Sequence, residues 1–222
     1  MRTVLDIRIA LLSTVLLGLL ASCTTLPSYA RPTALIVDAS ALNATDLIPY
    51  RDLLREDFKA GAPPPQIAPH AERFGAFTCA QMIPSPADGR FSISQDTRSG
   101  DFVARLPPVQ VRSAMDRGCS WWNTRGPLPP EYVLQHEQIH FAIIEVRARG
   151  LEREWQGLRG RGDSPQEASE ELQRALDDAY RGAARDVLKR STKFDEETSA
   201  KYDPRGQGRW WEQIRDELAR GE

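Results

Sequence analysis

Two textures of apolar and polar positions divide the chain. From residue 33 to residue 128 the apolar runs are short and interrupted by proline, glycine and aspartate: "TALIV", "FGAFTCAQM", "RFSISQ", "DFVARL" and "VQVRSAM". Runs of this length with this punctuation predict strands, and their succession predicts a small antiparallel sheet. The segment "GAPPPQIAP", residues 61–69, is poor in backbone donors and reads as a loop. From Pro129 onward the apolar positions recur at helical spacing with few breakers. A first helix is predicted from Pro129-Pro130, where proline suits the first turn, to about Leu158, with Gly150 as its weak point. A second opens at Ser164-Pro165-Gln166-Glu167, which has the form of a capping box with proline at the first helical position. Its apolar stripe is read as Ala168, Leu172, Ala175, Ala179, Ala183 and Val187. A last, short helix near residues 207–218 carries Trp210, Trp211, Ile214 and Leu218. Strands first and helices after predict an α+β fold, here one domain over residues 33–222.

Composition changes this picture at the N-terminus. Arg2 and Arg8 precede an apolar run over residues 9–20, too short for a membrane span, and the pattern predicts an export signal over residues 1–22. The letters "LASC", residues 20–23, resemble the bacterial lipobox. That resemblance implies cleavage before Cys23, acylation of its thiol and a tether over residues 23–32. By analogy with other lipoproteins, Thr24 rather than an aspartate after Cys23 implies the outer membrane, facing the periplasm. The chain as a whole is 41% hydrophobic and 27% charged with a net charge of −2, so nothing marks a basic surface for nucleic acid. Contact with a membrane is expected through the lipid anchor. Of three cysteines, the two besides Cys23 are Cys79 and Cys119, and an oxidising envelope compartment predicts a disulfide between them. Closing a loop of about 40 residues is worth roughly 4 kcal/mol in the chain-entropy account.

The candidate chemistry lies in "VLQHEQIHF", residues 133–141. His136 and His140, two of the three histidines in the chain, are four residues apart and project from one helix face, where they can share a metal ion. Glu137 stands beside them. In metal-assisted hydrolysis of a peptide bond such a glutamate is the general base, and the expected ion is Zn2+. On a wheel of about 100° per residue, apolar residues flank the histidines on both sides, so the helix is expected to run through the core. Polar groups in that position need partners. Glu145 lies across the wheel from His136 and reads as a partner for Arg149 or Arg147. "RGDSP", residues 161–165, reads as a turn into a capped helix rather than an adhesion signal.

"LQHEQIHFAIIEVRARGL" resembles the core of a bacterial family of predicted secreted zinc-dependent proteases, whose helices read HEQ-x-HF followed by an E-x-x-AR segment. The likeness spans most of the exported chain in order. "LLREDFKAG" is similar to that family's DFKG segment, and "CSWW", residues 119–122, stands in the place of its SW step. "FDEET", residues 194–198, resembles its YDxET segment, and Gln207 and Trp210 fall on its Q-x-x-W. The resemblance implies a zinc peptidase acting on a peptide or protein substrate, with His136 and His140 as ligands and Glu137 as base. In one respect the chain departs from the pattern: where the family has a histidine two residues after the threonine, this chain has Ala200. If the helix continues, Glu197 lies one turn before Ala200 and on the apolar stripe, and it is the expected replacement ligand. Asp195 is the second candidate although it falls off that stripe, and His70 in the Pro-rich loop is a more distant one. The competing class is a non-catalytic envelope lipoprotein using the same fold as a structural or interaction module. Loss of the histidine favours it, and retention of Glu137 favours catalysis.

Overall fold

A computed structural model describes residues 46–65, 67–85, 90–199 and 202–221. The expected signal, lipobox cysteine Cys23 and tether lie outside the described residues, as do the run "TALIV" and Ala200. The fold is α+β. In chain order the elements are β1 (Leu47–Pro49), β2 (Ala76–Phe77), β3 (Ala80–Ser85), β4 (Ser92–Gln95), β5 (Phe102–Arg105), β6 (Gln110–Asp116) and β7 (Trp121–Trp122), followed by α1 (Pro130–Gly157), β8 (Arg159–Gly162), α2 (Pro165–Thr198) and α3 (Pro204–Arg220).

The strands do not form the single small sheet expected from their spacing. They form three antiparallel sheets, ordered β1-β6-β3, β2-β7 and β4-β5-β8. Part of the cause is chemical. Pro49 and Pro84 lie in β1 and β3, the outer strands of the first sheet, where a missing N–H is tolerated but the ladder is not readily extended. The other part is α1, which closes the side of β6 that the short β1 leaves open. Glu145 Oε2 accepts from Ser113 N at 2.8 Å, and Glu152 Oε2 accepts from Val111 N at 2.9 Å. Two helical carboxylates thus take the hydrogen bonds a further strand would have made.

α1 is the central element. Ile139, Phe141, Ala142, Ile143, Ala148 and Leu151 are all buried, as expected of a helix that is apolar on most sides. It packs against β6 and β3 on one side and against α2 and α3 on the other. It runs unbroken through Gly150.

α2 starts where the capping signal places it. Ser164 Oγ accepts from Glu167 N at 3.2 Å, and Glu167 Oε2 reaches back to Asp163 N at 2.9 Å. Its buried stripe keeps Ala168, Leu172, Ala183 and Val187 as expected, but between them Leu176 and Tyr180 are buried where Ala175 and Ala179 are only half-buried. The larger side chains take the interface, because they remove more apolar area from water.

The chain between α1 and α2 forms β8 rather than a loop, with Arg161 paired to Val103. A Cβ on Gly160 would collide with the carbonyl oxygen of Ala168, so only glycine allows this strand to lie on the first turns of α2. The backbone of Arg161 and Gly162 is therefore built into a sheet, and Asp163 leads into the start of α2, rather than forming a free loop. α3 begins at Pro204, capped by Asp203 Oδ1 accepting from Gly206 N at 3.0 Å, and is longer than expected at both ends. Arg190 grips Glu217 through two bonds of 2.6 and 2.7 Å and ties α3 to α2.

Candidate metal centre

α1 and α2 bring three ligand atoms together. His136 Nε2 and His140 Nε2 stand 3.1 Å apart, and each lies 3.0 Å from Asp195 Oδ1. Three atoms each 2.0–2.1 Å from one ion in tetrahedral array would be about 3.3 Å apart, so the triangle is of the right size. Its chemistry also calls for a cation. A neutral imidazole has one lone-pair nitrogen, and here two imidazole nitrogens and a carboxylate oxygen converge on one point. His136, His140 and Asp195 form the one group among the described residues that can hold a metal ion.

The tautomer of His136 is set from α3. Gln207, fully buried, donates from Nε2 to Tyr132 O at 3.0 Å and to Gln135 Oε1 at 2.8 Å. The main-chain carbonyl can only accept, so the amide nitrogen must face it and the amide oxygen faces His136 Nδ1 at 3.3 Å. Nδ1 therefore carries a proton, and Nε2 is the ring atom turned to Asp195 and free to meet a metal ion. Phe194 holds both rings from beneath, stacked on His136 at 4.5 Å and edge-on to His140 at 5.1 Å.

Electrostatics reinforce the group. Burial alone pushes the His140 imidazolium toward its neutral form. The charge and hydrogen bond of Asp195, and then the charge of Glu137, outweigh burial and raise its pKa. Asp195 is held well below the usual carboxylate range: burial opposes this, but the two histidines more than compensate.

Glu197 is not a member. Its Oε2 accepts from Trp210 Nε1 at 2.7 Å and its Oε1 lies 3.7 Å from Lys193 Nζ, on the side of α2 that faces α3. The expectation that Glu197 replaces the missing histidine is therefore corrected to Asp195. The reason lies in helix phase: Phe194 and Thr198 fill the interface, and a residue just past Phe194 points into the cleft while one just before Thr198 points to α3. His70 is exposed on a short 3-10 turn (Ala68–Arg73) outside the group.

Glu137 lies where the sequence places it. It is 5% exposed, it lines the same cleft as both histidines and Asp195, and among the described residues it accepts no hydrogen bond. The cleft, about 280 Å³, has the α1–α2 pair as its floor and the chain from Arg73 to Thr78 as a wall. Gly75 lets that wall rest on the helix, since a Cβ there would stand 2.7 Å from Val133 Cγ2. Behind the wall, Cys79 and Cys119 are disulfide-bonded as expected, with Cα atoms 5.7 Å apart.

Two other polar residues of the motif region are structural. Gln138 Oε1 accepts from Leu53 N at 2.6 Å and pins the incoming chain to α1. Glu145 accepts from Arg149 Nε at 2.8 Å, the expected partner, and also takes Ser113 Oγ at 3.0 Å. The cleft wall had no signal in the local pattern, because it arises from a segment more than 50 residues before α1; Gln207 was marked by the family resemblance, but its contact with His136, 71 residues away, was not.

No model of a known protein family, no curated protein and no solved structure matches the chain. The fold and the site define the protein by themselves: an α+β domain whose central helix pair presents a two-histidine, one-aspartate group able to hold a metal ion.

Proposed function

We propose that the protein is a zinc-dependent metallopeptidase of the bacterial envelope, anchored through Cys23 and related to the predicted secreted zinc-dependent proteases that its motifs resemble. The observation that carries this reading is Glu137: a buried carboxylate that accepts no hydrogen bond among the described residues, lining the cleft beside three metal-ligand atoms and acting on His140 through its charge. A purely structural metal site needs no such group, and burying a carboxylate that no described donor reaches costs stability. Two imidazole nitrogens and one carboxylate are a donor set zinc accepts, and three protein ligands leave a coordination position for chemistry.

Zinc, when bound, supplies the Lewis acidity that polarises a carbonyl and lowers the pKa of an attacking water. The chain's own residues do the rest. His136 and His140 present lone pairs, the first fixed by Gln207. Glu137 accepts the proton of the attacking water. As the new C–O bond forms and the peptide C–N bond breaks, the same carboxyl returns that proton to the leaving nitrogen, and acid and amine products depart.

The test is a metal analysis of untagged protein together with Glu137→Gln. The variant keeps size and polarity but cannot take the proton, so it should retain zinc while peptide hydrolysis falls by on the order of 10²–10⁴. A scaffold in which metal only joins α1 to α2 predicts the opposite: no hydrolysis by the parent and a silent Glu137→Gln.

A further inference from the structure

The floor of the cleft is a groove between two antiparallel helices, and its ends differ in chemistry. Along α1 the lining residues Tyr132, His136, His140 and Ile144 follow at intervals of four; along α2 Ser199, Asp195, Ser191 and Val187 follow at the same interval in the opposite chain direction. The Tyr132 hydroxyl donates to Thr198 O at 2.9 Å, which sets the register. It follows that the histidines face Asp195 and that Ile144 faces Val187 and Leu188.

The Ile144 end carries no charge. Val187 and Ile144 are 8% and 6% exposed, Leu188 is half-buried, and all three line the cleft. The one cation of the lining, Arg73, belongs to the far end, since Gly75 two residues on lies against Val133. A charged side chain entering the Ile144 end would lose its water and find no partner, whereas an apolar one would lose only water. The distance fits a peptide. Four residues of helix rise by about 6 Å, and an extended chain advances about 3.4 Å per residue, so this end lies within two residues of a bond held at the ligand group.

We propose that Ile144, Val187 and Leu188 form a subsite for a branched aliphatic or aromatic side chain beside the scissile bond, so that the substrates are peptides cut at hydrophobic residues. This rests on the peptidase reading above, and the experiment separates the two. Zinc-loaded full-length Glu137→Gln protein is titrated calorimetrically with blocked alanine hexapeptides carrying leucine, aspartate or lysine at one central position. The leucine peptide should bind roughly tenfold or more tightly than the aspartate peptide, the scale of burying one large apolar side chain. Adding Leu188→Glu should bring lysine above leucine. Should that variant lose zinc, Leu188→Ala takes its place and should narrow the preference for leucine. Equal binding of the three peptides, or binding of none, overturns the subsite. An inert parent enzyme with the leucine preference intact overturns catalysis and leaves the subsite standing.

Discussion

Gln207 Oε1 lies 3.3 Å from His136 Nδ1 although 71 residues separate the two, and through this contact the C-terminal helix fixes the proton of a ligand ring. α3 is thus part of the candidate metal centre without contributing a ligand atom to it. Its docking is secured twice more, by Arg190 on Glu217 and by Trp210 on Glu197, so the amide is not free to turn away.

Replacing Gln207 with leucine is expected to weaken zinc binding by roughly 10–100-fold, the usual worth of a partner that orients a ligating histidine. The variant should still fold, since the lost hydrogen bonds cost only a few kcal/mol. Competition with a chromogenic chelator measures the affinity, and an unchanged value would remove Gln207 from the centre.

Asp195 and Glu197 make a matched pair of tests. Asp195→Ala removes an atom 3.0 Å from both histidine nitrogens and should release zinc at a chelator concentration the parent tolerates, a larger loss than for Gln207→Leu. Glu197→Ala removes the acceptor for Trp210 Nε1 and an exposed ion pair with Lys193, and should cost about 1 kcal/mol of stability with metal retained. Zinc loss in Glu197→Ala but not in Asp195→Ala would invert the ligand assignment.

What could be read in the sequence was local. Two histidines one turn apart and a cap of serine and proline before α2 each carry their meaning within a few residues. Asp203-Pro204 repeats the signal of Ser164-Pro165 and marks the true start of α3. The third ligand was harder, because a stripe extrapolated along a helix of 34 residues accumulates phase error. Asp195 and Glu197 stand about 160° apart on the wheel, so a face misread at Ala175 and Ala179 in place of Leu176 and Tyr180 cannot be carried along the helix to choose between them. Which edge of β6 needed covering, and that Glu145 and Glu152 would cover it, follows only from the assembled sheet.

Glu145 is accordingly expected to matter for stability and not for metal. Its side chain is 1% exposed and holds Ser113 N, Ser113 Oγ and Arg149. Glu145→Ala leaves those donors without an acceptor and should cost about 3–5 kcal/mol, visible as a lower Tm. Zinc content of the folded fraction should match the parent; its loss would mean that Glu145 supports the centre.

In metal-free protein the pair of His140 and Asp195 should leave a signature in the dependence of stability on pH. His140 has a folded pKa above its ordinary value of about 6.5, so its contribution is complete below that value and is lost as pH rises through the raised one. Asp195 is depressed below its ordinary value of about 3.9, so its contribution is present above that value and is lost as pH falls through the lowered one. Their joint contribution is therefore greatest between about pH 4 and pH 6.5, with a decline on the alkaline side that a histidine alone can produce in this range. Zinc binds the deprotonated rings, so adding it should remove the alkaline decline and its affinity should fall as the solution is acidified. Tm measured in chelator from about pH 5 to pH 9 checks the first statement, and the same series with excess zinc checks the second. The metal-free curve of His140→Gln should lack the alkaline decline; if it keeps the decline in full, the proton resides elsewhere and the proposed pairing of His140 with Asp195 fails.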